Sequence, residues 1–170
     1  HARNYSGKEY NNMMTNIRKC IELIFTSMAE NGLLPNKKNN GKYVFHDILV
    51  DNKGGINTTW CSLILSGKEV KVGDKIRIES TNILPNVLKD SFQRLKEISA
   101  AYEHTVNKNA NEQQQKNSRQ TPEFLESLGN PPYLLQSMTL ELCNIILWYA
   151  NYLEEHDDEE LNALNWNIIQ

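Results

Sequence analysis

The chain has 170 residues, 39% of them hydrophobic and 23% charged, with a net charge of -3. That length suits one domain with a sizeable core and is short for two, and the slightly acidic balance argues against wholesale binding to nucleic acid, which calls for a basic face. No apolar run approaches the roughly 20 residues that span a bilayer.

The three cysteines, Cys20, Cys61 and Cys143, are odd in number and far apart, so they form no disulfide framework and point to a reducing, intracellular and cytoplasmic setting. The charge is uneven. Residues 1–85 carry 12 Lys and Arg against 8 Asp and Glu, while residues 86–170 carry 6 against 13. Such a slope offers two differently charged surfaces. The opening His1-Ala2-Arg3, without an initiator Met, fits a domain excised from a larger protein or a tag remnant.

Tyr10, Met13, Met14, Ile17, Cys20, Ile21, Ile24 and Met28 recur at three- and four-residue steps and predict a helix from about Lys8 to Asn31. Gly32 suits the position after its C-cap, and Pro35 blocks continuation. Asn36 to Gly41 reads as a polar turn. Lys42 to Val50, rich in β-branched and aromatic residues, predicts a strand. Asp51 to Gly55 is a turn signal, and Ile56 to Leu65 predicts a second strand that closes a hairpin with the first. Glu69 to Glu79 alternates, with Val70, Val72, Ile76 and Ile78 on one face and Lys71, Lys75 and Arg77 on the other. That pattern is one half-buried strand or a tight hairpin about Gly73-Asp74.

Helical periodicity returns from Ile83 to about Val106, in a stripe that includes Leu84, Val87, Leu88, Phe92 and Leu95, with Pro85 in the first turn. Asn107 to Gln120 has one Ala as its only apolar side chain and predicts a mobile loop. Thr121-Pro122 then opens a short helix containing Phe124, Leu125 and Leu128.

After Pro131-Pro132, Tyr133 to Leu153 predicts a long helix that is apolar nearly all the way round. Leu135, Met138, Leu142, Ile145, Ile146, Tyr149 and Leu153 form its main face, and Leu140, Cys143, Leu147 and Ala150 widen it. Ser137, Glu141, Asn144 and Asn151 leave a narrow polar strip, with Trp148 at its margin. In a monomer this helix should be the most buried of the chain. If part of it is exposed, Trp148, Glu141 and Asn144 mark the candidate partner surface. Leu161, Leu164, Trp166, Ile168 and Ile169 predict a short terminal segment docked on the core. The fold class is therefore α+β in a single domain over 1–170: an N-terminal helix, a small antiparallel sheet of three or four strands, then a C-terminal helical bundle.

Signals for chemistry are sparse. None of His1, His46, His104 and His156 has a second His or Cys at ligand spacing, so no metal site is expected. The acidic run Glu154 to Glu160 lacks the spacing of an EF-hand and reads as a solvated turn whose carboxylates suit a helix N-terminus. No glycine-rich phosphate loop occurs, so no cofactor is implied. Cys61 and His46 fall on the two strands of the expected hairpin and are the first pair to test for nucleophilic catalysis. Symmetric pairing about Lys53 would set His46 opposite Trp60 and send Cys61 to the other face.

Lys71, Lys75 and Arg77 form the candidate anion-binding face, for nucleic acid or phosphoinositide. Glu69 and Glu79 flank it, and no aromatic residues interleave it. The leading reading is a non-catalytic protein-interaction or adaptor domain that meets a protein partner. The alternatives are an anion-binding module on that basic face and an enzyme with a Cys/His site assembled from distant residues.

Overall fold

In the computed structural model, residues 7–51, 54–106, 132–162 and 166–169 are described. The N-terminal stripe folds as expected into helix α1 (Gly7–Glu30), which buries Tyr10, Met14, Ile17, Ile21, Phe25 and Met28. The chain leaves α1 through a Schellman closure. Leu33 N–H donates to the Met28 carbonyl (2.8 Å) and Gly32 N–H to that of Ala29 (3.1 Å), with Gly32 at a φ of 84°. Leu33 and Leu34 then drop directly into the core.

The next stretch departs from expectation. Asn36–Asn39 is strand β1 and not a turn; it pairs antiparallel with β2 (Lys42–Phe45), from Asn36 opposite Phe45 to Asn39 opposite Lys42. Only Asn40-Gly41 turns, both at positive φ as a two-residue primed hairpin requires. Largely exposed polar side chains disguise β1, because nothing in it alternates between core and solvent. Strand β2 stops at Phe45. A short 3-10 turn (Asp47–Leu49) follows, and His46 Nδ1 caps it by accepting from Ile48 N–H at 3.1 Å.

The expected second strand, Ile56 to Leu65, reduces to a single bridge between Val50 and Ile56; Thr58–Leu65 is helix α2. Asn57 explains the outcome, since its side-chain oxygen accepts from Trp60 N–H (3.2 Å) and nucleates the first turn. A short, largely apolar stretch does not by its period separate a buried strand from a buried helix.

Glu69 to Glu79 contains the tight hairpin, β3 (Val70–Val72) and β4 (Ile76–Ser80), with Val72 opposite Ile76 around Gly73 to Lys75. The terminal segment docks as an edge strand, β5 (Trp166–Ile169), antiparallel to β4, so this sheet runs β3-β4-β5. Trp166 Nε1 also donates to the Gly32 carbonyl (3.0 Å), which ties β5 to the end of α1. The fold is α+β, with two small antiparallel sheets of two and three strands where the sequence suggests one.

Helix α3 (Asn86–Val106) buries Leu88, Phe92 and Leu95, and Phe92 stacks on Phe25 of α1 with ring centres 4.8 Å apart. Val87, assigned to that stripe from the sequence, is 70% exposed. Helix α4 (Pro132–Glu155) packs against both α1 and α3. At the C-terminal ends of α1 and α4, the Tyr149 hydroxyl meets Ser27 Oγ and Asn31 Nδ2, each at 3.0 Å.

The acidic run caps helix α5 (Asp158–Asn162). Asp157 Oδ1 accepts from the N–H groups of Glu159 and Glu160 (2.9 Å each), and the Glu160 carboxylate accepts from Asp157 N–H (3.2 Å). Among the described residues, helix α1, not α4, buries the most side chains. The loop expected at 107–120, the short helix expected after Thr121 and the side chain of Leu164 lie outside the described residues.

Candidate functional site

Helix α4 spends only one side on the core. Leu135, Met138, Leu142, Ile145 and Tyr149 of the expected main face are buried at three- and four-residue steps, whereas Leu153 is only partly buried and Ile146, also assigned to that face, is exposed. The opposite side keeps large apolar residues in solvent: Tyr133 is 72% exposed, Leu140 65%, Leu147 60% and Ile146 44%. Tyr133, Leu140 and Leu147 are seven residues apart, and Gln136, Cys143 and Ala150 follow each by three. That is the a/d spacing of a helix–helix seam.

From Pro132 to Leu153 the helix carries one charged residue, Glu141. It is turned toward α3, where its carboxylate accepts from Arg94 Nε at 3.2 Å. The exposed side is consequently uncharged over more than four turns.

Of the three residues marked as a partner surface, Asn144 is exposed beside Leu140 and Leu147. Glu141 and Trp148 are partly buried. Trp148 lies tilted on Tyr152 at 5.6 Å, and Tyr152 stacks on His156 at 4.1 Å. Burial, with the Glu160 carboxylate adding to it, pushes the Tyr152 hydroxyl above its ordinary pKa. An open groove of about 600 Å³ runs between α1 and α4, walled by Met13 and Asn16 on one side and Gln136, Thr139 and Leu140 on the other. Leu23, one heptad after Asn16 on α1, is also 67% exposed. The seam residues Tyr133, Leu140, Ile146 and Leu147 were absent from the candidate surface. Their spacing was visible, but apolar residues on a helix read first as core.

The basic face is assembled on one hairpin but is not free. Lys71 lies opposite Arg77 across β3 and β4, and Lys75 sits exposed in the turn. Arg77 contacts Glu79 (2.8 Å) and Glu69 (3.5 Å), and Lys71 reaches Glu69 at 3.6 Å. Alternating signs at that range leave little net field for a phosphate.

Cys61 and His46 do not share a hairpin, because the second strand is α2. Cys61 is buried, and burial raises its thiol far above the ordinary range, with no thiolate to act as nucleophile. No hydrogen bond joins the two among the described residues. Among the same residues, no group of three or more His, Cys, Asp or Glu gathers as a metal site, and no helix is long and apolar enough to cross a membrane. No protein-family model matches the chain, and no curated protein or solved structure matches it either.

Proposed function

We propose that this chain is a non-catalytic protein-interaction domain whose docking surface is the exposed side of α4. The observation that carries the reading is the uncharged seam of Tyr133, Leu140 and Leu147 with Ile146 beside it. Large apolar patches on a soluble surface mark contact sites, and anchors at i, i+3 and i+7 are how one helix presents itself to another or to a groove. Anion binding at Lys71, Lys75 and Arg77 is the weaker reading, because Glu69 and Glu79 occupy Arg77.

Changing Leu140→Glu together with Leu147→Glu tests the proposal without touching the core, as both side chains already face solvent. The wild-type chain should hold a partner that shields α4 amides from hydrogen exchange. The double variant, with an unchanged circular-dichroism spectrum, should lose both the partner and the shielding. Equal capture by the two proteins would reject the surface.

A further inference from the structure

We infer that the occupant of this face is a second copy of the chain, its α4 running antiparallel to the first across a two-fold axis between Leu140 and Cys143. The inference rests on the docking surface proposed above. Charge is its first support. Helix α4 ends in Glu154 and Glu155, both exposed and with no basic residue in the last turn, where the macrodipole disfavours negative charge. Its first turn carries no acidic residue. Antiparallel pairing brings the two glutamates of each helix toward the positive N-terminal end of the other, where they complement its macrodipole.

The middle of the face is uncharged, so a copy meets no like-charge repulsion there. In that middle stretch a basic or acidic partner would find nothing to pair with. An anionic bilayer is also disfavoured, because α4 has no basic residue.

Side-chain size is the second support. Matching a positions to d positions in antiparallel register puts Leu140 against the partner's Cys143, Leu147 against the partner's Gln136 and Tyr133 against the partner's Ala150. Two of the three layers, Leu140 against Cys143 and Tyr133 against Ala150, then set a larger residue against a smaller one, and the two-fold uses each layer twice. From Tyr133 to Ala150 the seam is about 27 Å long. One helix face of that length falls short of the roughly 800 Å² per partner of a standard interface, so the groove wall from α1 must join it and the association should be concentration-dependent.

Size-exclusion chromatography with light scattering over a dilution series of the full chain should show a monomer–dimer equilibrium. Leu147→Glu should weaken it about a hundredfold or more, since the carboxylate would be buried without a partner. Glu154→Gln with Glu155→Gln should weaken it by a few-fold and reduce its salt dependence. The two Cys143 thiols would lie about one helical turn apart along the axes. A short bis-maleimide should therefore join two wild-type chains and fail on Cys143→Ser.

A wild-type chain that is monomeric at every concentration and is not cross-linked through Cys143 overturns the self-association. If Leu147→Glu then still costs the capture of a different protein, the docking surface survives with another occupant. If that variant changes no binding at all, both proposals fall.

Discussion

The Tyr149 hydroxyl joins α4 to α1 by polar contact. Asn31 Nδ2 donates to it at 3.0 Å, and Ser27 Oγ shares a second hydrogen bond at 3.0 Å. Burial raises its pKa above the ordinary value, while the bonds from Ser27 and Asn31 pull the other way. Tyr149→Phe keeps the ring in the core and removes the hydroxyl from both partners, while Asn31 Nδ2 keeps its bond to the Ser27 carbonyl (2.8 Å). Urea unfolding should show a loss of about 1–2 kcal/mol.

The direction of the pKa shift adds a pH signature. The folded value lies above the unfolded one, so the hydroxyl's contribution is complete below about pH 10, the ordinary tyrosine value, and is lost as pH rises through the folded value. Wild-type stability should fall over that alkaline window, and Tyr149→Phe should remove part of the slope. An identical alkaline profile in the variant would assign the slope to other groups.

Between α2 and α3 the elements are locked by a close backbone approach. Leu65 accepts from the N–H groups of both Ile83 and Leu84 (2.9 Å each), and Ser66 bridges Asn82. Gly67, at a φ of 67°, sits against this contact: a Cβ there would stand 2.7 Å from Asn82 N and 2.9 Å from Asn82 Cβ. Gly41 shares the positive φ (79°) but has nothing within 4 Å of an added Cβ. Gly41→Ala should thus cost about 1–2 kcal/mol from backbone strain alone. Gly67→Ala should cost clearly more in the same thermal or urea melt, because the junction itself must open; equal losses would show that Asn82 yields freely.

The same elements show what a sequence discloses. Long stripes such as Tyr10 to Met28 set α1, and the alternation of Val70 to Ile78 set the β3–β4 hairpin, because period and length agree there. Thr58–Leu65 read as a strand since eight largely apolar residues have no period to betray them. Strand β1 read as a turn since Asn and Lys side chains do not register backbone pairing. For α4 the helix itself was legible and its burial was not. An apolar perimeter does not say how many neighbours will cover it, and α1 and α3 cover only one side.

Across the whole molecule, β5 connects parts that are distant in the chain. It pairs with β4 from Arg77 opposite Ile169 to Ser80 opposite Trp166, and the Trp166 indole donates to Gly32 at the end of α1. Through these contacts the hairpin sheet and the C-terminus of α1 share one strand as a clamp. Removing the Trp166 ring should accordingly be felt at both ends. Trp166→Phe loses mainly the hydrogen bond and should cost about 1 kcal/mol. Trp166→Ala also loses half-buried ring area and should cost roughly 2–3 kcal/mol, below the range for a fully buried aromatic.

The sharper measurement is native-state hydrogen exchange. If the strand is integral to a single cooperative unit, Trp166→Ala should speed exchange both at the β4 amides facing β5 and at Leu33 N–H, which closes α1 onto Met28. Faster exchange confined to β4 and β5, with Leu33 unchanged, would instead make the terminal strand a separable flap. Ile78, fully buried in the centre of that sheet, would then lie on a β4 edge that opens without unfolding the helices, and such an edge is a ready template for pairing with another chain.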